Sequence, residues 1–413
     1  MIKKINLCLI LLSLFLILFY FFRLDFHGIK TNIFEIAVGL SFISTLVCLI
    51  KYKYKPHWWS LWMLVFVFAG AISVFLADDK VQAIGILKGW FIIPALLYFN
   101  LINDYYLVTL EKIGILFIPL ITDLIVISLW AIFQHFGIIS TTFYQVGDSS
   151  FVQYLAAGHI RAFGPFESPN YLAMFLAPTL FLSLIYFQFR SKIGHIIFLT
   201  IIFVLPVIAI IFSGSRGGLL AILILLILYG VMKFMARSKI KKNKFVIFSG
   251  SAILLYIIGE IVAIQGYLDS TRKEIYHYAL VMLKGHTLFG IGLGNFQARA
   301  DQLSMADRNY SFREFVLSYA LHPHNLILAV WLNLGLLGII AFMIIIFQFF
   351  KTNFLKIREF EGFRIPLVLA MSAILIHGLF DTTYFKNDLS VIFWLILAVS
   401  FLVNNSKQLR ASD

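Results

Sequence analysis

The chain has 413 residues, of which 61% are hydrophobic, 17% aromatic and 13% charged. Soluble domains hold roughly 45–50% apolar and about 25% charged residues, so this composition excludes an ordinary soluble protein. A formal net charge of +13 would indicate nucleic acid as the partner of a soluble protein. In a chain this apolar, the first question is where the positive charges lie along the sequence.

Apolar runs long enough to cross a membrane recur along the whole chain. A spanning helix needs about 20 residues, and lipid offers no partners to exposed backbone N–H and C=O groups. Helices are predicted at twelve runs: 5–22, 31–50, 58–77, 82–103, 113–137, 170–189, 195–213, 217–235, 245–265, 325–350, 365–384 and 388–404. The predicted fold class is an all-α polytopic membrane protein. The first run resembles a signal peptide but lacks a cleavage sequence, so we expect it to remain as a helix.

The basic residues indicate how these helices are oriented. With the N-terminus in the cytoplasm, the cytoplasmic loops and termini hold 20 of the 33 lysines and arginines. Positive charge accumulates on the cytoplasmic side of membrane proteins, so both termini are predicted to be cytoplasmic. Topology therefore explains most of the positive charge, and no nucleic acid is expected as a partner.

Two connections on the outer side are long, at 138–169 and 266–323. Connections of this length are expected to carry structure and function. Within the second, 272–284 is predicted to be an amphipathic helix. The apolar face of this helix would consist of Ile275, Ala279, Met282 and Leu283. The predicted divisions are nine helices with the first long loop (1–265), an outer loop domain (266–323), and three helices with a cytoplasmic tail (324–413).

A short turn at 213–218, with the sequence Ser-Gly-Ser-Arg-Gly-Gly, separates two apolar runs. Arg216 at a membrane boundary costs free energy unless it meets an anion, and a guanidinium can bind a phosphate through two hydrogen bonds. The glycines would let backbone N–H groups approach the same ligand. The alternative is an interfacial arginine beside a glycine-packed helix crossing.

Arg272 stands near the start of the predicted amphipathic helix and precedes Leu-Phe-Gly-Ile-Gly-Leu-Gly-Asn-Phe at 288–296. The glycine spacing is a weak signal for nucleotide binding, because neither a preceding strand nor a following Lys-Ser/Thr accompanies it. A glycine turn by which the outer loop re-enters the bundle is the better interpretation.

Residues 322–325, with the sequence His-Pro-His-Asn, stand immediately before a long apolar run. Asn325 is a good helix N-cap and would place His324 at the helix mouth. A neutral imidazole there could act as a general base on a hydroxyl. The alternatives are a plain cap or a metal ligand, although two histidines at i and i+2 without a further ligand make a poor zinc site.

The first long loop ends at 161–170, where Arg161 and Glu167 could bind a ligand or shape the loop. No Asp-x-Asp pair occurs in the outer loops, which argues against a metal-dependent sugar transferase. Ionisable residues within the apolar runs are functional candidates, but each is better explained as a structural partner. These residues are Lys88, which could also extend to the headgroups, and Asp123, His135, Glu260 and His377.

Together these motifs resemble the O-antigen ligase superfamily of O-antigen ligases, polysaccharide polymerases and protein O-oligosaccharyltransferases. The likeness rests on Ser-Arg-Gly-Gly at 215–218, on Arg272 with 288–296, and on His324-Asn325 followed nine residues later by Gly-Leu-Leu-Gly at 335–338. These motifs span about 161–338, and 377–381 resembles a weaker C-terminal element of the family.

The resemblance implies a helical bundle with a periplasmic lid in the bacterial inner membrane. It also implies metal-independent, inverting glycosyl transfer without a cofactor. The donor would be a glycan on undecaprenyl pyrophosphate, and the acceptor would be lipid A–core, another glycan or a protein. Arg216 and Arg272 would hold the pyrophosphate, and His324 would accept the proton of the acceptor hydroxyl. The candidate substrate-binding residues are Arg161, Asn325, His322, Ser215 and Asp381.

Two other functions are compatible with parts of the pattern. A polymerase of the same superfamily would use the same kind of donor with another acceptor. A twelve-helix secondary transporter would use Lys88, Asp123, Glu260 and Asp381 as buried ionisable residues. A transporter would predict matching halves with helices broken at corresponding positions, and the sequence shows no such symmetry.

Overall fold

The computed structural model describes residues 2–26, 29–140, 160–189, 193–237, 270–309 and 321–406. Helices dominate this part of the chain. The first half contains α1 (Ile2–Phe15), a 3₁₀ turn (Leu16–Phe19), antiparallel strands β1 (Arg23–Phe26) and β2 (Ile29–Asn32), α2 (Ile33–Tyr52), α3 (Leu61–Leu76), α4 (Lys80–Leu87), a π-helical turn (Lys88–Ile92), α5 (Ile93–Ile102), α6 (Leu110–Ile115) and α7 (Phe117–His135).

The second half adds the elements that carry most of the candidate site. They are α8 (Pro169–Ser183) with a 3₁₀ extension (Leu184–Phe189), α9 (Ile193–Ser213), α10 (Arg216–Arg237), α11 (Ser270–Gly285), α12 (Phe296–Ala306), α13 (Leu326–Leu355), α14 (Glu361–His377) and α15 (Asn387–Asn405).

Each predicted membrane run that falls within the described ranges coincides with a helix. Among the described residues, eight helical segments are long and apolar enough to cross a membrane. Shorter apolar helices at Leu61–Leu76, Phe198–Ser213 and Gly362–His377 accompany them. The run predicted at 245–265, with Glu260, lies outside the described residues. The chain is thus a membrane-embedded, mainly helical protein.

The eleventh predicted run, 365–384, is too long at its C-terminal end. The helix α14 ends at His377, and residues 378–386 form a non-helical connection to α15. A Cβ on Gly378 would lie 2.9 Å from the Cβ of Leu326, and the Leu326 N–H donates a 2.7 Å hydrogen bond to the Gly378 carbonyl. The α14–α15 connection therefore lies directly against the start of α13.

The amphipathic helix predicted at 272–284 is present as α11. Its four predicted apolar residues are buried and pack with residues of α12 and α13, including Phe296 and Leu332. The sequence analysis predicted neither α12 nor the β1–β2 hairpin.

Residues 288–295, here called the glycine loop, join α11 to α12 and contact the bundle at two places. The Ile291 N–H donates to the Leu332 carbonyl at 2.7 Å, at a break in α13 where Gly335 has a φ of 67°. A Cβ on Gly292 would lie 2.7 Å from the backbone nitrogen of Ala77, at the end of α3. These close approaches support the interpretation of the glycines as a turn that returns the loop to the bundle.

Lys88 is a half-buried structural partner. Its ammonium lies 2.7 Å from Glu35 Oε2, and it donates to the Lys30 carbonyl at 2.6 Å and to Thr31 Oγ1 at 2.8 Å. This ion pair joins the π-helical turn to the start of α2. Because the charge of Lys88 is neutralised within the fold, the residue gives no support to the transporter interpretation.

Candidate active site

Arg216 is the first residue of α10, and the residues around it set where this helix begins. Ser215 Oγ accepts a hydrogen bond from the Gly218 N–H at 3.3 Å, as an N-cap does. A Cβ on Gly218 would lie 2.7 Å from the Cβ of Ala173 in α8, and one on Gly217 would lie 3.0 Å from His377 Cδ2 in α14. The glycines therefore serve a tight helix crossing, while the Arg216 side chain is exposed beside it.

Arg161 lies next to this turn. Its Nε donates to the Ser213 carbonyl at 2.8 Å, and its Nη2 lies 3.5 Å from Asn170 Oδ1. Burial lowers the pKa of Arg161, and the nearby positive charges of Arg216 and Arg272 lower it further. The Arg161 guanidinium is thus close enough to those of Arg216 and Arg272, on two other segments, to be repelled by both. Such a concentration of positive charge favours an anionic ligand.

His324 lies at the start of α13, as the sequence predicted. Asn325 is the N-cap of this helix, since its Oδ1 accepts from the Leu328 N–H at 3.0 Å. His324 Nδ1 lies 3.1 Å from Asp381 Oδ1 in the α14–α15 connection. The other Asp381 oxygen accepts a 2.9 Å hydrogen bond from Asn170 Nδ2. Asn170 therefore contacts both the Arg161 guanidinium and the partner of His324, which joins the two parts of the site.

Asp381 is ionised in this setting. Burial alone would raise the pKa of Asp381, but the charge and hydrogen bond of His324, with a further contribution from His322, hold it well below its usual range. The Thr382 N–H also donates to Asp381 Oδ1 at 2.8 Å. An ionised carboxylate at Nδ1 of His324 favours the tautomer with its proton on that nitrogen, so Nε2 is the basic nitrogen.

His322 is held by protein groups at both ring nitrogens. Its Nε2 lies 2.8 Å from the Tyr171 hydroxyl, and its Nδ1 lies 2.8 Å from Thr382 Oγ1. Burial, and then the positive charge of His324, lower the pKa of His322 to about 4. A neutral His322 therefore packs beside His324, with 4.8 Å between their ring centroids.

The residue types of this cluster include those that bind transition metals. In the described part of the chain, three residues, His322, His324 and Asp381, each place one possible ligand atom within 4.8 Å of the other two. A metal ion would have to displace Tyr171 or Thr382 from His322 to use either ring nitrogen. The existing hydrogen bonds therefore favour a His324–Asp381 pair over a metal centre.

The sequence analysis missed several residues that hold this site together. The Tyr276 hydroxyl, on α11, donates to the His324 carbonyl at 3.1 Å. Lys386 is buried with its ammonium 4.0 Å from the Tyr171 ring centroid and 3.6 Å from Glu167 Oε2. Tyr276 could have been predicted as a site residue, because it lies one helical turn after Arg272 on the same helix. The sequence around Tyr171 and Lys386 contains no comparable indication.

Residues 201–343 match the family model described as O-antigen ligase. The match confirms the resemblance. It covers about a third of the chain, including Arg216, Arg272 and His324, and it ends before Asp381. This similarity indicates a membrane glycosyltransferase of the O-antigen ligase or polymerase type, with a lipid-linked glycan donor and a glycan acceptor. No curated protein matches the chain significantly.

Proposed function

We propose that the protein transfers a glycan from undecaprenyl pyrophosphate to an acceptor hydroxyl on the outer face of the bacterial inner membrane. One observation carries this proposal. Asn170 contacts both Arg161 and Asp381, and so links the arginine cluster of Arg161, Arg216 and Arg272 to the His324–Asp381 pair. A pyrophosphate leaving group needs the positive charges, and a hydroxyl nucleophile needs the base. The acceptor of an O-antigen ligase would be lipid A–core.

Arg216 and Arg272 would act on the leaving group. Negative charge develops on the pyrophosphate as its oxygen separates from C1 of the donor sugar. Oriented cations in a cleft with little water can stabilise such charge by several kcal/mol. This contribution can replace a divalent metal, and undecaprenyl pyrophosphate departs as the product.

His324 would act on the acceptor. Its Nε2 removes the hydroxyl proton while the acceptor oxygen forms a bond to C1 on the face opposite the departing pyrophosphate, so the configuration at C1 inverts. Asp381 stabilises the imidazolium that results, because it is ionised and hydrogen-bonded to Nδ1. Ser215 and Asn325 serve this chemistry indirectly, as the caps of the two helices that carry Arg216 and His324.

A polymerase of the same family remains the second candidate. The match at 201–343 fits both types, which would share the donor chemistry and differ in the acceptor. Incubation of the purified protein with an undecaprenyl-pyrophosphate glycan, with and without lipid A–core, separates them. A ligase yields glycosylated lipid A–core, whereas a polymerase yields longer undecaprenyl-linked glycans.

Substitution of the two principal residues tests the mechanism. Arg216→Ala and His324→Ala should each abolish glycan transfer without changing protein level. Arg299→Ala is the matched control, because Arg299 pairs with Asp78 at 3.1 Å and has no place in the proposed mechanism. The control should keep nearly full activity. Wild-type rates in either of the first two variants would contradict the assigned roles.

Metal removal tests the leaving-group chemistry separately. Transfer activity should survive dialysis against EDTA, because the arginines supply the positive charge. Activity that is lost in EDTA and restored by a divalent ion would show that the metal-free mechanism is wrong.

A further inference from the structure

The glycine loop begins with two large apolar side chains that are mostly exposed. Leu288 and Phe289, here called the apolar tip, are 61% and 65% exposed. Their backbone is nevertheless fixed to α13. The Leu288 carbonyl accepts from the Leu336 N–H at 2.9 Å, and the Thr287 carbonyl accepts from Trp331 Nε1 at 2.9 Å.

The apolar tip is fixed to α13 beside the break at Gly335, and α13 is long and apolar enough to cross a membrane. From Gly335 to Leu355 this helix has about 20 residues, or roughly 30 Å, which is the thickness of the hydrocarbon core. Exposed apolar side chains recur along this part with helical spacing: Leu337, Ile340, Met343 and Phe347. They form a lipid-facing stripe, and the apolar tip is hydrogen-bonded at its outer end.

The other neighbour of the glycine loop also lies at this boundary. Gly292 packs against the last residues of α3, one of the shorter apolar helices. Phe75 at the end of α3 is 81% exposed, and Val81 in the first turn of α4 is 70% exposed. Both elements that hold the loop therefore present apolar side chains to lipid at their outer ends.

We propose that the apolar tip inserts into the outer leaflet of the membrane and lies among the acyl chains. Lys284, exposed in the last turn of α11, would then meet the phosphate groups of the lipids. The insertion would anchor the C-terminal end of α11 to the bilayer, while Tyr276 joins the same helix to the backbone of His324. This inference concerns membrane contact and does not depend on the proposed reaction.

Spin labels at single cysteines test the insertion directly. In a background with Cys8→Ser and Cys48→Ala, we would label Leu288→Cys, Phe289→Cys and, as the matched control, His277→Cys on the exposed face of α11. The proteins are reconstituted into phosphatidylethanolamine/phosphatidylglycerol vesicles, and access of oxygen and of a water-soluble nickel chelate is measured by power saturation. Labels at 288 and 289 should be reached by oxygen and protected from nickel, whereas the label at 277 should be reached by nickel.

Two results would overturn the proposal. Nickel access at 288 and 289 equal to that at 277 would place the apolar tip in water. Protection of both positions from oxygen as well as nickel would indicate a protein contact, such as a second copy of the chain. Because two adjacent positions are labelled, a defect in one variant leaves the other to decide.

Discussion

His324 combines a hydrogen bond to a buried carboxylate with a left-handed backbone conformation, at a φ of 45°. Residues with a Cβ rarely adopt this conformation, which costs roughly 1–2 kcal/mol. Its surroundings hold it from both sides, because Tyr276 donates to the His324 carbonyl and Asn325, the next residue, caps α13 by accepting from the Leu328 N–H. The imidazole is thus oriented before any substrate arrives.

Replacing Asp381 by asparagine isolates the contribution of its charge. Asp381→Asn keeps the size of the side chain but removes the negative charge that would stabilise a protonated His324. The rate of glycan transfer should fall by about 10²-fold or more, while the KM for the donor changes little. Steady-state kinetics with a varied donor concentration measures both. Asp78→Asn is the control, and an equal loss in that variant would count against a specific role for Asp381.

Acid should weaken the fold through His322. The pKa of His322 falls to about 4 in the fold from its ordinary value of 6.5, so the unfolded chain binds a proton first as the pH drops. The contribution of neutral His322 to the free energy of unfolding is therefore fully present above pH 6.5. It decreases by at most about 3 kcal/mol as the pH falls towards 4. The pKa of Asp381 is lowered in the fold, so protonation of this carboxylate destabilises the protein only when the pH falls below its ordinary pKa of 3.8.

Thermal unfolding in detergent between pH 7.5 and 4.5 measures the effect of His322. His322→Asn keeps a polar side chain but cannot take up the proton, so its stability should decline less over this range. If the stabilities of the wild type and of His322→Asn decrease in parallel as the pH falls, protonation of His322 is not the cause.

At the scale of elements, the glycine loop and the break in α13 form one unit. A Cβ on Gly335 would overlap the Leu288 carbonyl oxygen, and one on Gly290 would overlap the Leu332 carbonyl oxygen. Each glycine therefore allows the backbone of the other segment to approach. This explains in physical terms why position 335, the first glycine of the Gly-Leu-Leu-Gly that follows His324-Asn325, requires glycine.

Gly335→Ala should consequently destabilise the protein. The backbone of Gly335, with a φ of 67° and a ψ of −166°, is one that costs a residue with a Cβ about 1–3 kcal/mol, and the overlap with the Leu288 carbonyl adds to this. Gly39→Ala in α2 is the matched control, since nothing lies within 4 Å of its Cβ position and alanine favours helix by about 1 kcal/mol. Thermal unfolding should show a lower Tm for the first variant and an unchanged or higher Tm for the second. An unchanged Tm for Gly335→Ala would contradict the packing described here.

Local patterns predicted the helices better than their ends and their contacts. Hydropathy identified the spanning runs and periodicity identified α11, because both properties are local. The end of α14 escaped prediction, since Leu379 and Phe380 continue the apolar run past His377 and Gly378, before the polar residues at 381–383. The pairing of His324 with Asp381 was equally hidden, because 57 residues separate them and tertiary packing alone brings them together.

At the scale of the molecule, the distribution of basic residues predicts the orientation. Cytoplasmic loops rich in lysine and arginine, including the end of α10 at Lys233, should place both termini in the cytoplasm and His324 outside. A green fluorescent protein fused after Asn405 should therefore fluoresce, and alkaline phosphatase fused after Asn309 should be active. The reverse pattern would place the arginine cluster on the cytoplasmic side, away from a donor on the outer face.

With the apolar tip inserted as proposed, the break in α13 would also set the height at which the chemistry takes place. The nine residues from Leu326 to Leu334 lie beyond the break at Gly335, so they would raise His324 at most about 13 Å above the hydrocarbon boundary. The headgroup layer on each side is roughly 5–8 Å deep. The base would therefore stand just outside the headgroups, while the polyprenyl tail of the donor stays in the bilayer. The acceptor sugars and the finished polysaccharide would remain hydrated throughout, so the membrane would set no limit on the length of the transferred chain.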